Sequence, residues 1–416
     1  MKQSWRLGLS EALSSALGWF RRTVTPGGVY LLAVLVLGLV LGLVLGWSEF
    51  FAPAMVAATL IALASLFLIG RKRYQVDLSV EKERVVAGDP IESVLTVTNG
   101  SSTLALPTRL DVPIGPALVE VPVPLLRGSE VFSHPLDIPT ERRGLIRVGP
   151  VQKIRSSPVG ILRSNTTWGR PHRVFVYPKT VALPPTDVGL MRDLEGMESG
   201  RTVPDDLSFH AIREYVPGDP RNQIHWKSTA KTGQLMVRQY NESVRSEMLV
   251  VLGNAEQAYI DGEEFELAVS VGASFALRGM QEGRHLSVVT GPQSERQVLA
   301  RTMRPLKTTS RRALMDGMTR LRWADGGLTL AEIVTEASAA RGYGDPVSIA
   351  VLVTGSQTTA SQIQTAALRL PLGVGALAVR CALDEPPALR VVGGITVITV
   401  AVLEDLRHLL LGQVQR

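Results

Sequence analysis

Two long apolar runs near the start of the chain contain no charged residue. They cover residues 30–47 and 52–70 and are separated by a short loop at Glu49. At a rise of about 1.5 Å per residue, each run as a helix just spans a hydrocarbon core of about 30 Å. The pattern therefore predicts a two-helix transmembrane hairpin within residues 1–73. We expect it to contact membrane lipid through residues 30–70.

Short alternating runs of apolar and polar residues replace this pattern from residue 74 onward. Examples are residues 76–80, 91–97 and 145–148, with Gly, Pro and Asn between the runs. Short strands separated by frequent turns are typical of an antiparallel β-sandwich. We assign this domain to residues 74–184. The segment shows no clustered His or carboxylate pair, which favours a spacer or binding module.

Strand-like and helix-like segments alternate from residue 246 to the end of the chain. The strands are buried apolar runs, which in such an alternation indicate a parallel sheet covered by helices. The sequence therefore predicts a doubly wound α/β domain over residues 246–416. Its predicted strands are 248–252, 285–290, 347–353, 375–379 and 394–400, and its predicted helices are 264–280, 311–321, 328–340, 361–368 and 404–411.

The positive charge of the chain is concentrated beside the apolar runs. The formal net charge is +6, and residues 1–73 contain seven basic and two acidic residues, which leaves +1 for the other 343 residues. Basic residues that flank apolar spans favour the cytoplasmic side, so we expect a cell-membrane protein with two helices and cytoplasmic soluble domains. A cleaved signal peptide is the alternative, but the apolar run is too long for one. A nucleic-acid-binding domain would carry its positive charge in the soluble part, so no nucleic-acid partner is predicted.

Cys381 is the only cysteine of the chain. An intrachain disulfide and a cysteine-based zinc cluster are therefore both impossible. Its neighbours are largely apolar, which predicts a buried structural cysteine.

Residues 185–245 form a linker with an unusual density of special residues. The stretch 216–220 reads Val-Pro-Gly-Asp-Pro, which predicts a sharp turn. We expect Asp219 or Asn222 to cap a short helix over residues 224–230, Gly233 to end it, and a strand to follow over residues 235–240.

The side chains of this linker admit several interpretations. We expect Trp226 to be buried against the core, and Arg221 and Lys227 to be exposed or paired with Asp219. A buried Trp and an Arg–Asp pair would lock neighbouring domains together, whereas exposed residues would form a docking surface. A catalytic site would use His225 as a base oriented by Asp219, although no Ser or Cys nucleophile stands in a recognisable context. Phosphate binding by basic residues of the linker is a further alternative, although the chain has no phosphate-binding loop motif.

The linker motif also carries a family resemblance. Read with residues 141–163 and 176–179, it resembles the domain-of-unknown-function 58 (DUF58) family over about residues 70–290. The turn at residues 157–162 departs from the family pattern, because Val159 replaces the usual aromatic residue. The motif residues, which we take as the signature and candidate interaction residues, are Arg213, Tyr215, Gly218, Asp219, Arg221, Ile224, His225, Trp226 and Lys227.

The resemblance implies that the α/β domain is similar to a von Willebrand factor A domain. Such domains hold Mg²⁺ through an Asp-x-Ser-x-Ser loop, a Thr and a later Asp. Here residues 253–257 read Gly-Asn-Ala-Glu-Gln and residues 354–356 read Thr-Gly-Ser. Because the carboxylate ligands that Mg²⁺ prefers are missing, we expect a degenerate site and no metal or cofactor.

The same resemblance implies a function. We expect a non-enzymatic, membrane-anchored scaffold that works with a MoxR-type AAA+ ATPase and a transglutaminase-like membrane protein in the assembly of a bacterial membrane or envelope system. An enzyme or ligand site built on His225 and Asp219 is the first alternative, which replacement of His225 by Gln would test. A metal-dependent adhesion domain is the second.

Overall fold

The computed structural model describes residues 23–68, 74–156, 161, 163–185, 208–217, 219, 221–241, 247–341 and 347–411. The chain divides into two compact units, residues 1–176 and 177–416. The predicted anchor and nearly all of the predicted β segment lie in the first unit. The linker motif and the predicted α/β segment lie in the second.

The first unit begins with a pair of apolar helices. Helix α1 (Pro26–Leu45) and helix α2 (Phe51–Leu68) are joined by a short 3₁₀ turn, and both are long and apolar enough to cross a membrane. Thr25 caps α1 by accepting the N–H of Gly28. Large apolar side chains such as Val36, Leu43 and Val44 point outward and are more than half exposed. The basic flanks at residues 21–22 and 71–73 lie outside the described residues.

Small residues line the contact between the two helices. Gly38 of α1 faces Ala54 of α2, and a Cβ atom at Gly38 would lie 2.9 Å from the carbonyl oxygen of Phe50. Gly42 faces the ring of Phe51 in the same way, and Ala57 is also buried. Because small residues let helix backbones approach closely, the pair packs on itself as a hairpin.

Two antiparallel sheets make up the rest of the first unit. The smaller sheet has the order β1-β3-β6, and the larger has the order β2-β10-β7-β4-β8-β9 with β5 paired to β4. The strands are β1 (Tyr74–Val80), β2 (Arg84–Val86), β3 (Ser93–Asn99), β4 (Thr108–Ile114), β5 (Ala117–Val123), β6 (Val131–Pro135), β7 (Gly144–Val148), β8 (Val151–Ser156), β9 (Arg163–Trp168) and β10 (His172–Tyr177).

Both sheets bury their apolar faces in one core. Leu95 and Val97 of the smaller sheet and Leu110, Val112 and Val174 of the larger sheet are fully buried in it. The burial alternates along β3, as expected for strands with one face inward. This is the arrangement that the alternating sequence pattern predicted.

The second unit contains a seven-stranded sheet with the order β15-β14-β13-β16-β17-β19-β18. The inner pairings from β14 to β19 are parallel, and the edge strands β15 and β18 are antiparallel to their neighbours. A linker hairpin precedes this sheet, formed by β11 (Ser208–Glu214) and β12 (Met236–Asn241) around the short helix α3 (Trp226–Thr232). The sheet strands are β13 (Glu247–Leu252), β14 (His285–Thr290), β15 (Arg304–Pro305), β16 (Val347–Gly355), β17 (Gly375–Cys381), β18 (Ala388–Val392) and β19 (Ile395–Val400).

Helices cover both faces of this sheet. Met248, Val250 and Leu252 of β13 point into one core with residues of α4, α6 and α9, whereas Leu249 and Val251 point into a second core with residues of α7 and α8. The sheet is therefore doubly wound, as predicted. Its strand order reverses between β13 and β16, which marks the topological switch point. The helices are α4 (Gly262–Gln281), α5 (Glu295–Leu299), α6 (Arg311–Met318), α7 (Leu330–Arg341), α8 (Ala360–Ala367) and α9 (Leu403–Leu411).

Residues 177–185 pack on the α/β sheet. The hydroxyl of Tyr177 donates to Asp316 at 2.7 Å, and Leu183 is buried in the core beside α4. Cys381, at the end of β17, is fully buried, and burial together with the charge of Glu264 raises the pKa of its thiol. A thiol with a raised pKa is a poor nucleophile, in keeping with a structural cysteine.

Candidate functional site

The motif singled out in the sequence folds into a small hairpin, which we call the signature module (Ser208–Asn241). Strands β11 and β12 pair antiparallel, and helix α3 lies between them in sequence. A bridge between Ile224 and Val237 and a hydrogen bond from the His225 N–H to the Met236 carbonyl tie the start of α3 to β12. Gly218 lies outside the described residues.

Asp219 makes an ion pair with Arg213 at the turn of the module. The two carboxylate oxygens accept hydrogen bonds from the guanidinium at 2.7 and 2.8 Å, and one also accepts the Val216 N–H at 2.9 Å. The hydrogen bond from Arg213 lowers the pKa of Asp219, and the Val216 N–H adds to this effect. Because the pKa of Asp219 is lower in the folded turn, its ionised carboxylate stabilises the turn at pH values above the ordinary Asp pKa of about 3.9. This stability is lost as the pH falls through the lowered pKa of the folded state. Arg221 and Lys227, expected to be exposed or paired with Asp219, are both exposed. The partner of Asp219 is Arg213.

His225 caps helix α3. Its Nδ1 accepts the backbone N–H of Ser228 at 3.2 Å, and the Ser228 hydroxyl lies 2.7 Å from the same nitrogen. The prediction that Asp219 or Asn222 caps this helix is therefore wrong, since the helix begins after His225. The predicted stop at Gly233 is confirmed, with a left-handed φ of 77°.

The pair on which the catalytic alternative depends is not formed. The carboxylate of Asp219 bonds Arg213 and Val216, whereas the imidazole of His225 bonds Ser228. Asp219 therefore does not orient His225. His225 and Ser228 are three residues apart in sequence, and their contact satisfies an N–H of the first helical turn. This is the role of a helix cap.

Trp226 is exposed, which contradicts the expectation that it would be buried. Its exposed fraction is 67%, and Val216 and Leu235 of the same module are also exposed. Helix α3 contacts β12 through a hydrogen bond and not through the indole: the Thr229 hydroxyl accepts the Met236 N–H at 3.0 Å. The indole therefore points away from the strand that the helix packs on.

The module that carries this indole is positively charged. The module contains five basic and two acidic residues, a net charge of +3. Arg213 is paired with Asp219, whereas the other basic side chains are exposed. They are Arg221, Lys227, Lys231 and Arg238. The motif residue Tyr215 is half-buried, and its N–H donates to the Leu235 carbonyl at 2.8 Å.

Replacing His225 by Ala is expected to destabilise helix α3 by about 1 kcal/mol, because the Ser228 N–H loses its acceptor. The amides of α3 should then exchange with solvent about fivefold faster. Hydrogen exchange followed by mass spectrometry measures this directly. His225→Asn is the matched variant, since Asn is also a good cap, and its exchange should stay near the wild-type rate. Equal exchange in the wild type and His225→Ala would show that the cap contributes nothing.

The second candidate region lies where β13 and β16 end, at the switch point of the sheet. Asn254 is fully buried there, and its amide group donates to the carbonyls of Pro292 and Arg322. The Thr354 hydroxyl lies 2.6 Å from the Thr358 hydroxyl, and Glu256 is exposed.

These residues do not fit a Mg²⁺ ion. Gly253 and Ala255 offer no side-chain oxygen. Asn254 offers one neutral amide oxygen, which is buried without a hydrogen-bond partner among the described residues, while its amide nitrogen donates to two carbonyls of the protein. Within the described ranges, no group of three or more His, Cys, Asp or Glu is placed to hold a metal. Mg²⁺ needs octahedral oxygen ligands with at least one carboxylate, and this donor set does not provide them.

Comparison with known proteins identifies one family. The model of the DUF58 family, described as a protein of unknown function, matches residues 211–318. The match covers most of the signature module and the first strands and helices of the α/β sheet, and it supports the resemblance to DUF58. None of the curated proteins matches the chain.

Similarities to solved structures are low. The CARDB domain of a Pyrococcus furiosus protein, solved with di-metal ions, is 15% identical with a TM-score of 0.19, over 25% of this chain and 91% of that domain. A β-glucosidase from Listeria innocua in complex with glucose is 12% identical with a TM-score of 0.15, over 26% of this chain and 17% of the enzyme. Cwp6 from Clostridium difficile is 11% identical with a TM-score of 0.18, over 73% of this chain and 36% of Cwp6. Scores this low support no conclusion about fold or function.

Proposed function

We propose that this chain is a non-enzymatic, membrane-anchored scaffold that binds a MoxR-type AAA+ ATPase through its signature module. The helix pair holds the chain in the cell membrane, and the soluble parts face the cytoplasm, where the ATPase is available. A transglutaminase-like membrane protein is the second proposed partner, and the process served is assembly or maturation of a membrane or envelope system. The DUF58 match over residues 211–318 supports this proposal.

We further propose that the α/β sheet is a von Willebrand factor A-like domain that has lost its metal. Its doubly wound order and short antiparallel edge strand β15 support this assignment. The residues at its switch point lack the ligands for Mg²⁺, which is why we favour a scaffold over a metal-dependent adhesion domain.

The exposed indole of Trp226 is the observation that carries the docking proposal. Tryptophan has a large apolar surface, of about 150–250 Å², and leaving two-thirds of it in water is unfavourable. The side chain stands on a helix that is fixed at both ends, by the His225 cap and by Gly233. A rigid, exposed Trp beside basic residues has the composition of an interface hot spot.

The charge of the module indicates what the partner surface must look like. The module has a net charge of +3, although residues 74–416 together have only +1. We therefore expect an acidic patch around the pocket that receives Trp226. Association should slow as salt is added, because screening weakens electrostatic steering.

Replacing Trp226 by Ala is expected to reduce recovery of the ATPase about tenfold or more, as for a hot-spot residue worth at least 1.4 kcal/mol. The measurement is crosslinking in native membranes followed by affinity purification of the full chain and mass spectrometry. The matched control is Leu299→Ala, which removes another exposed apolar side chain outside the module and should leave recovery unchanged. Equal recovery with Trp226→Ala would overturn the docking site, and a wild-type sample without the ATPase would overturn the partner.

A further inference from the structure

A cleft of about 240 Å³ opens at the switch point of the α/β sheet. Its floor is formed by the ends of β13 and β16, at Gly253 and Thr354, and its walls come from the loops and first turns around α7 and α8. In open α/β sheets, ligands bind in the crevice at the carboxyl ends of the strands, where the strand order reverses. The cleft therefore occupies the position at which this type of sheet is expected to bind a ligand.

The cleft is lined entirely by neutral residues. Leu328 and Leu330 supply apolar surface and are buried, whereas Thr354 and Gln357 supply hydrogen-bonding groups. No lysine, arginine, aspartate or glutamate is among its lining residues. A ligand held here would therefore meet apolar contacts and hydroxyl or amide groups, but no counter-ion.

The two helices that begin beside the cleft are capped by their own side chains. Thr329 caps α7 by accepting the N–H of Glu332, and the Glu332 carboxylate accepts the N–H and the hydroxyl of Thr329 and also pairs with Arg301. The first turn of α8 is closed by a capping box between Thr359 and Gln362. Each cap satisfies one N–H of a first helical turn, and the Glu332 carboxylate adds negative charge at the start of α7, where an anion would otherwise be attracted.

We propose that this cleft binds a small neutral molecule with an apolar body and a carboxamide or hydroxyl group, without a metal ion. The apolar body would contact Leu328 and Leu330, and the polar group would bond the Thr354–Thr358 hydroxyl pair. A carboxylate or an ammonium ion would lose its hydration without gaining an ion pair, which makes either one an unfavourable ligand. The residues that fail as Mg²⁺ ligands thus form a site of a different chemical class.

Three probes of the same length test this proposal. Pentanamide, pentanoate and pentylammonium differ in their end group, and saturation-transfer NMR on the full chain in lipid nanodiscs compares their binding. We expect pentanamide to bind at least about tenfold more tightly than either ion, since 1.4 kcal/mol of desolvation suffices for that ratio. Equal or tighter binding of pentanoate, with or without added Mg²⁺, would overturn the proposal, and so would an absence of pentanamide binding.

Two variants, one on helix α8 and one at its C-cap, locate the binding. Thr365→Phe places a ring in the cleft from an exposed position and should abolish the pentanamide signal. Leu368→Phe introduces the same ring at the C-cap of this helix, at an exposed position that does not line the cleft, and should leave the signal unchanged. Because both positions are exposed, both variants should fold. Pentanamide binding that survives Thr365→Phe would place the ligand elsewhere and contradict the assignment.

Discussion

Replacing Glu264 by Leu is expected to destabilise the α/β unit by about 2–4 kcal/mol, because two N–H groups lose their acceptor. Glu264 is 1% exposed. One carboxylate oxygen accepts the N–H of Ser356 at 3.1 Å, and the other accepts the N–H of Ile260 at 2.7 Å. The side chain therefore joins the loop that follows β16 to the loop that precedes α4. Leucine would be buried equally well but would leave both donors without a partner.

The single cysteine provides the measurement. Cys381 is fully buried in this unit, so its labelling by a thiol reagent in a urea titration reports the opening of the unit alone. A loss of about 3 kcal/mol would raise the labelled fraction at low urea roughly a hundredfold. Glu263→Leu is the matched control, since it changes an exposed carboxylate one residue earlier and should cost less than about 0.5 kcal/mol. Equal labelling of the two variants would show that the two hydrogen bonds do not stabilise the fold.

Replacing Gly355 by Ala is expected to cost about 3 kcal/mol, because the added methyl group has no space. A Cβ atom at this position would lie 2.3 Å from the carbonyl oxygen of Ala258 and 2.4 Å from the ring of Tyr259. The first of these atoms belongs to the backbone and cannot move aside as a side chain can. The loop that follows β13 would therefore have to shift away from the end of β16, which would also deform the cleft.

The same labelling of Cys381 measures this effect. Gly355 pairs with Cys381 across β16 and β17, so the thiol lies beside the disturbed strand. The control is Gly262→Ala at the start of α4, where nothing lies within 4 Å of the added Cβ. It should be neutral or stabilising by up to about 1 kcal/mol. Labelling of Gly355→Ala at the control rate would show that the loop accommodates the methyl group without cost.

The sequence predicted the repetitive parts of the fold well. The uncharged runs correspond to α1 and α2, and the predicted strands 248–252, 285–290 and 347–353 correspond to β13, β14 and β16. Such predictions succeed because hydrophobic periodicity reports which faces are buried. The short edge strands β15 and β18 were missed, because a strand of two residues or one without a fully buried residue leaves little periodic signal.

The candidate site was predicted less completely. The sequence predicted the turn, the helix and its end at Gly233, but it assigned the helix cap to the wrong residues and did not identify Arg213 as the partner of Asp219. A sequence-based prediction seldom places histidine at the N-cap of a helix, because Ser, Thr, Asp and Asn are the preferred residues there. The Arg213–Asp219 pair joins the end of β11 to the turn. Because several basic residues lie near Asp219 in the sequence, the sequence alone does not show which of them pairs with it.

The sequence alone thus determined the apolar helix pair, the alternation of strands and helices, and the motif that lies within the DUF58 match. These features depend on residue type and spacing along the chain. The tertiary structure decided that Trp226 is exposed, that Arg213 pairs with Asp219, and that neutral residues from distant segments line one cleft at the switch point. The physical reason is that exposure and pairing depend on which side chains meet in space, and a local pattern does not contain that information.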